Sequence, residues 1–246
     1  MRKMAIIYAI QMVGLMLLNC SKESTEPAYT GTSTFPLTVN SRWEYERNHY
    51  RIPFIDSTLA DTQTYMVYRR VVRPDTVIDS NQLYIVDDST SRVDSIDATP
   101  YVVRHWYNIS ESKLKEFAEI YIYPWEDSTP LFFPHPRILL DFPLSAGKAW
   151  IAYQMVLGNV YNSLVGIDYV TVGETPIKCD VVRSRLVDPG TNHQFYDSYW
   201  WYSNDGLIRN EFDYGIELIA DSLGNPIDSV RSVEILELID MQIQGG

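Results

Sequence analysis

The chain has 246 residues, a formal net charge of −12, 46% hydrophobic and 13% aromatic residues. That length gives one domain or two small ones, with ample apolar material for a core. The acidic balance excludes nucleic acid and anionic lipid surfaces as partners of the folded part, because both need clustered Lys or Arg, and Arg69-Arg70 and Arg183 to Arg185 stand isolated in apolar stretches.

At the N-terminus Arg2 and Lys3 precede an apolar run from Met4 to Leu18 that ends at Leu17-Leu18-Asn19-Cys20. The run is shorter than the roughly 20 residues a stable membrane-crossing helix needs, and its charges sit where a secretory leader carries them. Residues 1–19 are therefore expected to be a signal peptide. Leu17, Leu18 and Cys20 resemble the lipobox of bacterial lipoproteins, with Asn19 departing from the Gly, Ala or Ser usual before the cysteine. The resemblance implies diacylglycerol on the Cys20 sulfur and acylation of its freed amino group. Each buried methylene adds about 0.8 kcal/mol, so two or three chains hold firmly where one holds marginally.

Residues 20–34 comprise this cysteine and a Ser/Thr/Glu/Pro/Gly-rich stretch that cannot bury enough surface to offset ordering entropy, and they are read as a tether. Ser21 resembles the outer-membrane sorting choice of Gram-negative lipoproteins. Loss of residues 1–19 leaves 227 residues and, without Arg2 and Lys3, moves the charge from −12 to −14. Once Cys20 is lipidated only Cys179 remains, so no intrachain disulfide forms and stability rests on the core.

Residues 35–246 are expected to form a single antiparallel all-β domain, either a curved sheet or half-barrel or a two-layer sandwich, with at most short helices. Period-two alternation predicts strands near 43–50, 64–72, 82–87, 101–107, 120–123, 150–157, 164–172, 177–187, 195–203, 207–212, 216–220 and 230–243. Turn formers separate several of them: Arg73-Pro74-Asp75, Asp188-Pro189-Gly190, Ser203 to Gly206 and Leu223 to Pro226. Ser110 to Glu119 carries Leu114, Phe117 and Ala118 at helical spacing and is expected to form a short helix.

Phe35-Pro36-Leu37-Thr38 followed by Trp43 recurs as Phe142-Pro143-Leu144-Ser145 followed by Trp150, with Tyr45 and Tyr153 soon after each Trp. In each copy Pro fixes an extended approach to a strand while Phe and Leu plug a core edge. The recurrence points to two related halves, 35–141 and 142–246; four matches in nine positions are also within reach of chance. Phe142 to Trp150, Val170 to Val182 and Trp201 to Arg209 together look like a group of uncharacterised exported bacterial lipoproteins ending in a W-Y-x-x-x-G-L-[IV]-[KR] hairpin. The resemblance covers roughly the C-terminal half, implies an antiparallel β domain akin to the curved sheets of periplasmic lipoprotein carriers, and assigns no reaction. Those carriers also plug the sheet with helices, which this chain lacks the patterns for.

Catalytic patterns are missing. His49, His105, His135 and His193 fall in no metal-binding spacing and read as surface or strand histidines, so no metal and no cofactor is expected. Asp87-Asp88 and the Asp94/Asp97 stretch lack a calcium-loop ladder and read as solvated loops. No nucleophile elbow or phosphate loop occurs. Cys179 alternates with Ile177 and Val181 and is expected to be a buried structural thiol.

Two features carry site expectations. Along Phe195 to Tyr202 aromatic residues occupy both faces of one strand, where a half-solvated strand would present one polar face. A second layer covering that face is the simpler reading; the sharper one is an aromatic platform for sugar rings or acyl chains, formed by Tyr196, Trp200 and Tyr202 or by the opposite set, Tyr199 and Trp201. The second feature is Asp-Ser/Thr followed by an aliphatic residue or Thr, at Ser57, Thr76, Ser89, Ser95, Ser128, Ser222 and Ser229, similar to an O-glycosylation acceptor pattern of exported proteins in some Gram-negative bacteria. Asp and Ser also open turns by bonding their own backbone, and the two readings stand level. The sequence thus describes a non-enzymatic binding or accessory module, lipid-anchored in the cell envelope at the outer membrane, with a glycan, a lipid or another envelope protein as partner. Its competitors are a lipid carrier, which requires a deep apolar cavity, and a glycan-active enzyme, which requires two facing carboxylates in a cleft.

Overall fold

A computed structural model of the chain describes residues 35–54, 60–78, 81–93, 100–110, 112–124, 129–155, 158–188, 190, 194–220 and 226–244. The leader, Cys20 and the tether lie outside them, as do Ser57, Ser95, Ser128 and Ser222. Twelve strands account for nearly all of the described chain: β1 (Arg42–Pro53), β2 (Asp61–Ile78), β3 (Asn81–Arg92), β4 (Tyr101–Ser110), β5 (Lys113–Ile122), β6 (Leu131–Asp141), β7 (Ala149–Met155), β8 (Gly158–Val172), β9 (Thr175–Val187), β10 (Gln194–Ser203), β11 (Gly206–Ala220) and β12 (Pro226–Gln242). The described residues contain no helix.

All twelve belong to one antiparallel sheet in the order β6-β5-β4-β3-β2-β1-β12-β11-β10-β9-β8-β7. This is an up-and-down meander in which the first and last strands pair along Arg42 to Pro53 and Val230 to Gln242. The sheet curls into a nearly closed barrel whose free edges, β6 and β7, face each other across a seam. The curved-sheet alternative is therefore the one adopted. Residues 35–141 supply β1–β6 and residues 142–246 supply β7–β12.

Because the meander alternates direction, every odd strand starts at the same end of the barrel, and both Phe-Pro-Leu segments lie there. Leu37, Trp43, Leu144 and Trp150 are all buried in one cluster with Leu164, Cys179, Val182 and Leu207, which plugs that end. Each tryptophan keeps its polar handle satisfied: Trp43 Nε1 donates to the Asp205 carbonyl at 2.7 Å and Trp150 Nε1 to the Ile138 carbonyl at 3.0 Å. Trp43 thus braces the β10–β11 turn, where Gly206 holds a φ of 114° and an added Cβ would stand 3.2 Å from the indole nitrogen.

The expected helix at 110–119 is corrected to strand β5. Phe117 is an extra residue against β4, where Trp106 and Tyr107 face Ala118 and Glu116; the register with β6 breaks at the same place, with residues 133–136 of β6 left unpaired. A bulge re-aims the side chains that follow it, and this one reproduces an i, i+3, i+4 spacing without a helix. Strand β6 has no counterpart among the predicted strands. Its Pro134 and Pro136 argue against a central strand, and the structure uses it as an edge, where a missing N–H costs no ladder bond.

Candidate functional site

The inner face of the barrel mixes charged with apolar side chains. Along β2, β3, β4 and β5 it presents Val67-Arg69-Val71, Val86-Asp88-Thr90, Val103-His105-Tyr107 and Leu114-Glu116, each taken at every second position. A charged residue therefore stands mid-strand among apolar neighbours of the same face.

Strand register brings these charges into a belt. Arg69 lies opposite Asp88, and its Nε and Nη2 donate to the two carboxylate oxygens at 2.8 and 2.6 Å. His105 Nε2 stands 3.7 Å from Asp88, and its Nδ1 is 2.6 Å from Glu116 Oε1. Glu116 lies opposite Arg137, whose Nη1 reaches Glu116 at 3.3 Å and Glu119 at 3.2 Å. Five adjacent strands, β2 to β6, thus carry one alternating chain of charge. Burial works against the imidazolium, but hydrogen bonding and the negative charge of Asp88 and Glu116 outweigh it and lift the His105 pKa to about 9. Burial likewise opposes ionisation of Asp88, and Arg69 overrides it, holding the carboxyl well below its usual range. Tyr45, Tyr107 and Tyr202 are pushed up by burial and stay neutral; the Tyr45 hydroxyl donates to the Leu207 carbonyl at 2.9 Å.

The belt lines a cavity of about 330 Å3 above the apolar plug, which Arg47, Tyr121, Glu234 and Leu236 complete. A second chamber of about 180 Å3 adjoins it, sharing Glu116, Arg137, Leu139, Trp200 and Tyr202 and adding Tyr153, Asn162, Ser184 and Ser198. Trp200 and Tyr202 have ring centroids 6.4 Å apart with planes inclined by 8°. Two polar atoms in these walls, Arg47 Nε and Asn162 Oδ1, are buried without a hydrogen-bond partner. Such groups cost about 1–3 kcal/mol each when left unmade, and water or a ligand hydroxyl in the cavity would satisfy them.

The structure separates the aromatic sets. Trp200 and Tyr202 point inward. Tyr199 and Trp201 have the opposite parity and are half-buried, Trp201 at the margin of the core cluster; Arg183 stands 5.6 Å over the Tyr199 ring and Arg209 5.1 Å over Trp201, whose Nε1 donates to Asp168 at 3.1 Å. Tyr196 pairs with Leu186 in β10, and its side chain lies outside the described part. Thr76 lies in β2 with its side chain likewise outside; Ser89 is exposed on β3, and Ser229 is half-buried in β12.

The expected solvated loop at Asp87-Asp88 is corrected to strand β3, longer than expected: Asp88 faces inward to Arg69, and Asp87 faces outward to Arg104 Nε at 2.7 Å. His105 is a strand histidine, in β4, and its side chain faces the interior. Cys179 is buried as the alternation indicates, and burial pushes its thiol up to about 12. His105, Glu116 and Glu119 offer one ligand atom each within 4.8 Å of one another, the described group that comes nearest to a metal site. A cation there would have to displace Arg137 from both glutamates.

No protein-family model matches the chain, and no curated protein matches it in sequence. Among solved structures, a "putative lipoprotein" from Parabacteroides distasonis is 13% identical with a TM-score of 0.38, covering 85% of this chain and 98% of that one. A "putative exported protein with YmcC-like fold" from Bacteroides fragilis is 12% identical with the same TM-score and coverages. A DUF1329 family protein from Desulfovibrio piger is 13% identical with a TM-score of 0.28, covering 85% and 88%. At these scores the likeness carries nothing for the site.

Proposed function

We propose that this chain is a lipid-anchored envelope protein, held at the outer membrane of a Gram-negative bacterium through Cys20, whose barrel is a non-enzymatic binding module for a neutral, hydroxyl-rich ligand. The carrying observation is the polar interior, with a charge belt on one wall and Trp200 and Tyr202 on another. Buried ion pairs are poor stabilisers: apolar residues of similar volume serve as well or better. A belt of five such groups lining open space is accounted for more simply by recognition than by stability. Alternating carboxylates and guanidinium groups accept from and donate to hydroxyls, and flat rings stack on the apolar faces of sugars. The same polarity argues against an acyl carrier using this interior.

A glycan-cleaving enzyme is the second reading, and it rests on Glu116 and Glu119, whose oxygens approach within 4.8 Å. Both belong to one strand and share one guanidinium, so they do not flank a cleft as a hydrolytic pair does.

Two measurements test the proposal. Labelled palmitate fed to a Gram-negative host should enter the wild-type protein and be absent from Cys20→Ser; equal labelling of both, or none of either, contradicts the anchor. A panel of neutral oligosaccharides should contain saturable ligands that are recovered uncleaved. Binding to none contradicts the module, and cleavage supports the enzyme.

A further inference from the structure

The barrel is not sealed between its edges. Among the described residues β6 and β7 share no backbone ladder. Near the plug two side chains tie β6 to the opposite wall: Trp150 Nε1 of β7 donates to the Ile138 carbonyl and Asn162 Nδ2 of β8 to the Leu139 carbonyl, at 3.0 and 3.2 Å. Above these bridges the strands part around a slit of about 420 Å3, walled by Phe133, Pro134, Pro136 and Ile138 on one side and Ile151 and Met155 on the other. Ile151 and Met155, both on the edge strand β7, are 44% and 46% exposed.

The slit is poorly suited to an added strand. Pairing of β6 with β5 skips from Arg137 to Phe132, so residues 133–136 leave the ladder, and two of the four are prolines without an N–H. It is suited to an apolar chain, and it leads inward. Arg137 lines the slit and both chambers, while Ala152 and Tyr153 line the slit and the smaller chamber. At this junction the Arg137 guanidinium lies 3.8 Å over the Phe133 ring and 5.0 Å from the Tyr153 ring, one on each edge, and pairs inward with Glu116 and Glu119.

Charge decides which head group fits. The chamber walls set Arg47, Arg69, Arg137 and the protonated His105 against Asp88, Glu116, Glu119 and Glu234. The two signs balance, so an ionic head would leave a buried charge uncompensated, whereas hydroxyls meet both signs without net charge. We infer that the slit between β6 and β7 is a side entrance that holds the apolar chain of an amphiphile, whose uncharged, hydroxyl-rich head lies in the chamber beside Arg137. This rests on the chamber being a binding site.

Equilibrium dialysis of radiolabelled octyl glucoside below its micelle concentration, beside glucose and octanoate, tests it on wild type, Ile151→Glu and Trp200→Ala. Wild type should bind octyl glucoside at least tenfold more tightly than either fragment. Ile151→Glu, altered at an exposed edge position, should fall to the glucose level with an unchanged circular dichroism spectrum and melting temperature. Octyl glucoside bound no better than glucose, octanoate bound equally well, or an unaltered Ile151→Glu each overturns the inference. Glucose binding that survives in Ile151→Glu and disappears in Trp200→Ala leaves the chamber reading intact when the slit fails. Octyl glucoside binding that survives Trp200→Ala removes the head from the chamber, and with it both readings.

Discussion

Two adjacent aspartates show how strand parity decides what a charge does. Asp87 and Asp88 each meet an arginine directly across a strand pair, yet Asp87 faces solvent-side Arg104 and Asp88 faces buried Arg69. The Asp87–Arg104 pair is the more exposed, at 18% and 32% against 12% and 15% for Asp88–Arg69; fully exposed pairs contribute about 0–1 kcal/mol, while loss of one partner of a buried pair costs about 3–5 kcal/mol because the other charge is left uncompensated. Denaturant unfolding of Asp87→Asn and Asp88→Asn should separate by that margin, and near-equal losses would show that Asp88 is better solvated than its position implies. His105 adds a pH signature. Its folded pKa, about 9, lies above the ordinary 6.5, so its contribution is complete below about pH 6.5 and fades as pH rises through 9. The depressed Asp88 works oppositely, contributing above its ordinary value and losing that contribution as acid protonates it. Thermal stability should therefore be highest between about pH 4 and 6.5 and decline toward pH 9, and in His105→Phe the alkaline decline should flatten.

At the scale of elements, most strands were legible because alternation survives wherever a strand has one apolar face. β5 was not, since the bulge at Phe117 inserts a residue and imitates helical spacing over Leu114, Phe117 and Ala118. β6 was not, since Leu131 to Asp141 carries two prolines that only an edge tolerates, and which strand is an edge is a property of the whole sheet. The inward aromatic pair, Trp200 and Tyr202, was visible as one of two alternatives. The belt is not legible for a specific reason: Arg69, Asp88 and His105 read as isolated residues and Glu116 falls in the segment expected to be helical, although the first three keep the parity of their strand neighbours, as in Val67-Arg69-Val71 and Val103-His105-Tyr107. A charge on the apolar phase of a strand is the signal that would have found them. That they meet each other is set by register, which one sequence does not fix.

For the molecule as a whole, the two chain halves contribute differently to the interior. β1 to β6 bring every charge of the chamber wall but Glu234, which comes from β12, and β10 brings Trp200 and Tyr202. The two Phe-Pro-Leu segments plug one end, leaving the polar space above them and the seam beside it as the routes by which a ligand arrives. If this space binds, Trp200 and its neighbour of opposite parity, Trp201, differ in what they do. With neutral oligosaccharide binding and thermal unfolding measured on the same preparations, Trp200→Ala should lose at least tenfold in affinity while Trp201→Ala keeps it, both still folding cooperatively. Equal losses of stability in the two variants, with affinity unchanged or merely following stability, would show that Trp200 packs a core and that the interior is no binding chamber.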